Sequence, residues 1–436
     1  MLGPAAFGTW ALLRLSTRYA SLAGLSVFRG LEVELLHSED SKSSSTALGS
    51  ILVLTGGLAV VALGASLAVS DPQRQVLFRA FAAAAVAEGL YNYALVWTRV
   101  RTTLRRYAVL EAATAALHLG VGVALARAWG LPGALVGLAL ASATGFAVAT
   151  RWIPMRPALH ASALNRMLHI GFPLALTGCV GTALQTADRW VVAAWGGATL
   201  LGYYAFAGAV AGGATALSLV IRTVVFPKVY ADARNAAPGA AVRLHLVNTL
   251  LPYARLFPPV LGAVGLALGP VLAVVLPGYT PAVAPARIFL LTGAAIGIVN
   301  LASIGAVAAG RQRRLPAYAV VALTLNLGLA LAALSLGAGL EAVALSSLTG
   351  HLLFAAAVLR LNAREGGIAQ PGRFTVTALL PLVWCTAALL AAARLSPPTD
   401  IGSEAVALGI YLALLLPLLP LLRGDWKRFG GEPARG

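Results

Sequence analysis

The chain has 436 residues, 59% of them hydrophobic and only 11% charged, with a mean hydropathy of +0.83. A soluble domain carries about a quarter charged residues, so a water-soluble fold of this length is excluded: it has nowhere to hide so much apolar surface. The formal net charge of +17 could suit nucleic acid, but the basic residues fall in short clusters between apolar runs, as cytoplasmic loops of a membrane protein do, and no nucleic-acid partner is expected. Cys179 and Cys385 each lie inside an apolar run with no CxxC spacing and read as packing residues.

In chain order, thirteen apolar runs reach the roughly 20 residues a membrane helix needs. They cover 8–36, 47–70, 76–97, 107–126, 131–150, 169–195, 200–221, 247–276, 285–309, 316–336, 341–359, 374–393 and 404–422. The first is the weakest, interrupted by Arg14, Arg18 and Arg29; the eighth is broken by Pro252, Pro258, Pro259 and Pro270. Sorting Lys and Arg into alternate connections gives 22 on one side and only Arg74, Arg127, Arg287 and Arg394 on the other. That asymmetry places the basic connections and the C-terminus in the cytoplasm, and an odd span count puts the N-terminus outside. No connection is long enough for a soluble catalytic domain, so function must reside in the membrane bundle.

Ionisable groups inside spans are expensive and mark functional positions. On the first run Arg14, Arg18, Arg29 and Glu32 share one face over about 27 Å of helix. The stripe suits phosphate or carboxylate groups in a polar cavity; alternatively Arg14 and Arg29 snorkel to opposite interfaces and Arg18 alone is ion-paired. On the third, Glu88, Asn92 and Arg99 share a face, with Arg79 opposite. On the fourth, Glu111 and His118 lie two turns apart on one stripe, either a proton relay or a carboxylate bridged to an arginine of the preceding connection. Glu88, Glu111 and His118 are the candidates for ion coupling. The sixth groups Thr177, Gly181, Gln185 and Asp188 within about 80°, with Arg189 adjacent; Asp188 and Arg189 are either a structural set or a substrate contact. Arg255 is a single embedded cation in the eighth.

No GxxxxGK[ST], HExxH or GxSxG signature is present, the six histidines have no metal-ligand spacing, and no cofactor is implied. An enzyme is therefore disfavoured, although a membrane enzyme of glycan assembly stands as an alternative.

Three stretches carry a family likeness. LGPAAFGTWALL (2–13), TADRWVVAAWGGATLLGYYAFAGAV (186–210) followed by VVFPKV (224–229), and GPVLAVVLPGYTPAVAPARIFLL (269–291) resemble the polysaccharide flippases of the O-antigen type, in the MOP superfamily that also holds the MATE drug exporters and the lipid II flippase. Laid on that pattern the thirteen runs are the last thirteen of fourteen; either Met1 is an internal start or the six-helix N-lobe is one member short. The resemblance implies an all-α polytopic membrane protein of two pseudo-symmetric bundles plus two extra C-terminal helices. Its parts would be an N-lobe over 1–150, a basic cytoplasmic connection over 151–168, a C-lobe over 169–362, and the two further spans with a cytoplasmic tail over 363–436. It also implies translocation of an undecaprenyl-diphosphate-linked oligosaccharide from inner to outer leaflet of the cytoplasmic membrane by alternating access, with H⁺ or Na⁺ as coupling ion and a glycan polymerase or ligase as partner. Arg14, Arg18, Arg29, Asp188, Arg189 and Arg255 would line the substrate path. A MATE-type exporter of cationic molecules is the competing reading, against which the embedded arginines outnumber the deep acids.

Overall fold

The computed structural model describes residues 3–37, 41–153, 155–235, 238–395 and 401–420, and every regular element among them is helical. The helices are α1 (Pro4–His37), α2 (Ser41–Ala68), α3 (Pro72–Arg101), α4 (Leu104–Ala149), α5 (Ala161–Asn235), α6 (Pro238–His245), α7 (Leu251–Val275), α8 (Val283–Ala308), α9 (Leu315–Ser335), α10 (Leu340–Glu365), α11 (Pro371–Leu395) and α12 (Ile401–Leu415). Two of them are hairpins in disguise. Gly130 (φ 62°) breaks α4 and Gly197 (φ 67°) breaks α5, a left-handed backbone that only glycine adopts without penalty. With those breaks counted, and α6 and α7 joined by the π-turn Leu246–Leu250, the described residues form thirteen helical segments at the positions of the thirteen apolar runs. Eight helices among the described residues are long and apolar enough to cross a membrane by length and composition, and the chain is a polytopic all-helical membrane protein.

The ends of the segments follow local chemistry. Asp71 accepts from Gln73 N–H at 2.9 Å and Pro72 occupies the first turn of α3, so an orphan donor is capped and a missing one costs nothing. Thr103 caps α4 in the same way through Arg106 N–H. The eighth run starts about two and a half turns earlier than its apolarity suggests, at Pro238, because α6 and the π-turn feed directly into α7. Pro258, Pro259 and Pro270 lie within α7 without ending it.

The chain divides into two compact units, Met1–Cys179 and Val180–Gly436, with the boundary inside α5. In the first unit α3 packs against α2 and α4, and α1 lies on α2 and α3. Val27, Leu31, Leu48, Ile51, Tyr91, Tyr93, Leu110 and Met167 form one apolar core, and Ala62, Phe81, Leu135 and Leu138 a second. The start of α5 crosses α1 where Gly30 and Gly171 meet: a methyl on either would run into the other helix's backbone, at Met167 and Ser26 respectively. Small residues at such crossings let backbones approach closely. The connection into α5 is pinned to α2 by Ala158 N–H on Ser45 O at 3.0 Å.

In the second unit α8 is the central helix, buried on nearly every face from Val283 to Ala306 and flanked by α7 and α10. It also supplies a correction. Arg287, read from the sequence as a residue of an outer connection, is buried in α8 and ion-paired to Glu404 of α12. A guanidinium one turn into an apolar helix looks like a boundary charge until its partner, 117 residues later, is known.

Candidate functional site

The first unit brings two predicted polar faces together. Arg14 of α1 is ion-paired with Glu88 of α3, and farther along the same two helices Glu32 Oε1 lies 3.1 Å from Arg99 Nη2. The pairs have opposite polarity, cation on α1 in the first and anion on α1 in the second. Each charge is thus met by the neighbouring helix rather than left facing lipid. The pairs are only partly shielded: the Arg14 and Glu88 side chains are 41% and 19% exposed. Arg14 also sits over the Trp10 ring, 5.8 Å from its centroid.

His118, at the middle of the first half of α4, joins this cluster. Its Nε2 is 3.0 Å from Ser142 Oγ in the second half of α4, and its ring meets Tyr91 of α3 edge-on at 6.4 Å. Arg14 and Glu88 are both within electrostatic reach of the imidazole. Glu111, by contrast, is exposed beside Tyr107, and no arginine pairs with it among the described residues. The structure therefore unites Arg14, Glu88 and His118 and leaves Glu111 apart. The side chains of Arg18 and Arg29 lie outside the described residues.

A residue not singled out from the sequence anchors the C-terminal end of α1. Glu34 accepts from Arg166 Nε of α5 at 2.7 Å and from Ser43 Oγ of α2 at 2.6 Å. The signal was the spacing of Glu32 and Glu34, which point to different neighbours 200° apart on one helix.

The second unit holds Asp188 at the centre of a different arrangement. It is fully buried, accepts from Tyr204 Oη at 2.7 Å across the Gly197 hairpin, and accepts from Arg189 N–H at 2.9 Å. Ser347 of α10 also hydrogen-bonds to it. The preceding residue of α10, Ser346, donates to Asn326 Oδ1 of α9 at 3.1 Å. Arg189 lies against Gly208 of the returning helix, where a methyl would come within 2.8 Å of its Nη2. Arg255 is buried in α7 and Gln185 is exposed; the side chain of Thr177 lies outside the described residues. Tyr204 was the missing partner, legible only as the tyrosine pair that follows the glycine turn.

Buried carboxylates and interhelical ion pairs inside an all-helical, multi-pass bundle define a class, the polytopic membrane proteins that keep charge within their spans for use. The family is then shown directly: the model of the family described as "Polysaccharide biosynthesis protein" matches residues 1–274, and the chain belongs to that family. No curated protein matches the sequence. Among solved structures, the fold is similar to a lipid II flippase, MurJ, in an inward closed conformation, with a TM-score of 0.67 at 13% identity over 97% of this chain and 94% of that one. It is also similar to an inward-facing multidrug resistance MATE family transporter of the MOP superfamily (TM-score 0.61, 12% identity, 90% and 92% covered). The Vibrio cholerae MATE transporter VcmN in its bent form follows (TM-score 0.52, 16% identity, 85% and 96% covered). At these identities the likeness is one of fold.

Proposed function

We propose that the protein is a flippase of the cytoplasmic membrane, with its C-terminus in the cytoplasm, that carries an undecaprenyl-diphosphate-linked oligosaccharide from the inner to the outer leaflet for polysaccharide export, and that it is a transporter rather than an enzyme. The observation that carries this reading is the Arg14–Glu88 pair: a cation between membrane helices, half exposed, held in reserve by an internal carboxylate. A diphosphate is the substrate group that gains most from such a cation, because its charge must be compensated wherever water is excluded. Arg14 contacts the diphosphate, with Arg18 and Arg29 following on the same helix; Arg189 and Arg255 are the second unit's own candidate cations for substrate. Asp188, buried among hydroxyl groups, is the site for a coupling ion, H⁺ or Na⁺. A polymerase or ligase consumes the delivered glycan on the outer side.

Deleting the gene and locating the lipid-linked oligosaccharide with an impermeant outer probe tests this. Accumulation of the intact lipid-linked unit on the inner leaflet, reproduced by Arg14→Ala or Arg18→Ala at normal protein level, is the expected result. Normal surface glycan together with new sensitivity to cationic dyes would overturn it in favour of cation export.

A further inference from the structure

In the first unit Glu88 has two basic groups in its neighbourhood. Arg14 holds it by an ion pair, and the His118 imidazole is close enough to feel both charges. The ring already has what a second proton would need: Ser142 Oγ at 3.0 Å and the Leu138 backbone, both from the second half of α4, offer hydrogen-bond acceptors. Among the described residues the groups that face it are Arg14 from α1, Glu88 and Tyr91 from α3, and Ser142 and Leu138 from the other half of α4. Glu111, two turns back on its own helix, is exposed.

While Arg14 and Glu88 are paired, the net charge beside His118 is near zero and the neutral imidazole is compatible with it. A diphosphate that takes Arg14 removes the counter-charge of Glu88 and leaves a carboxylate partly buried between membrane helices. That state is expensive unless a positive charge replaces the lost one. We infer that His118 supplies it, so that binding of a lipid diphosphate at Arg14 draws a proton onto His118. This rests on the diphosphate reading above and adds its charge accounting. By linkage the two events favour each other: the proton strengthens substrate binding by the factor with which substrate strengthens proton binding. When substrate leaves, the Arg14–Glu88 pair re-forms and the proton is released. The proton rides with the substrate as compensation, and does not drive it.

The test uses the full chain in detergent with geranylgeranyl diphosphate as probe, titrated calorimetrically near neutral pH in buffers of different ionisation heat. The wild type should take up about one proton per diphosphate bound. His118→Gln should bind several-fold more weakly with no uptake. Glu88→Gln should bind more tightly, also without uptake, since it leaves no anion to compensate. Ser142→Ala keeps the imidazole but removes one acceptor, and should lower the pH at which uptake is half complete. Binding with no buffer-dependent heat in the wild type, undiminished uptake in His118→Gln, or an unmoved midpoint in Ser142→Ala would overturn the proton coupling while leaving the diphosphate site standing. No binding of the probe by the wild type would instead overturn the diphosphate reading itself.

Discussion

Two interhelical Arg–Glu pairs in this protein share their chemistry and differ in nearly everything else. Arg14–Glu88 joins α1 and α3 with side chains 41% and 19% exposed, whereas Arg287–Glu404 joins α8 and α12 with both side chains 6% exposed. Arg287 is held further by its Nε on Gly265 O at 3.2 Å. A partly exposed pair is worth little and can be exchanged for another partner. A buried pair cannot be opened without stranding a charge in low dielectric. Exposure, more than residue type, separates a charge that can change partners from one committed to structure.

The contrast can be broken from the buried side first. Glu404→Gln should destabilise the protein by about 3–5 kcal/mol, because Arg287 is left charged and buried; thermal unfolding in detergent reads it, and a double Arg287→Met, Glu404→Leu variant should recover most of the loss. An unchanged melting temperature in Glu404→Gln would mean the pair is not locked. Asp188→Ala comes next, at about 1–3 kcal/mol, since the Tyr204 hydroxyl and the Arg189 N–H lose their acceptor. Tyr204→Phe should fall well below it in the same assay. Arg99→Ala, which opens the partly exposed pair with Glu32, should shift stability by less than about 1 kcal/mol. A larger drop there would show that α1 and α3 depend on their charges for packing.

The span pattern was legible because lipid imposes it: a segment either is apolar over some 20 residues or is not. Even the two hairpins buried inside the long helices α4 and α5 were visible, since Gly130 and Gly197 fall in the gaps between apolar runs. The charged faces of α1 and α3 were legible as faces, because helical periodicity is local. Their meeting was not. Glu88 is 74 residues from Arg14, and Arg166 is 132 from Glu34, and no periodicity links helices that far apart. Arg287 failed for the same reason: near a helix end an arginine reads as a loop residue unless its distant acid is known. Tyr204 was missed because an aromatic hydroxyl inside an apolar run carries no signal until its acceptor is placed.

The pairing of α1 with later helices has a consequence for how the protein is made. Arg14 and Glu32 leave the ribosome well before Glu88 and Arg99, and Glu34 well before Arg166. At ~5–20 residues per second, the 74 residues between Arg14 and its partner take on the order of ten seconds to synthesise. For that interval Arg14 is without Glu88, the carboxylate that meets it in the folded chain. That pairing waits on α3, so α1 is made well before it is finished.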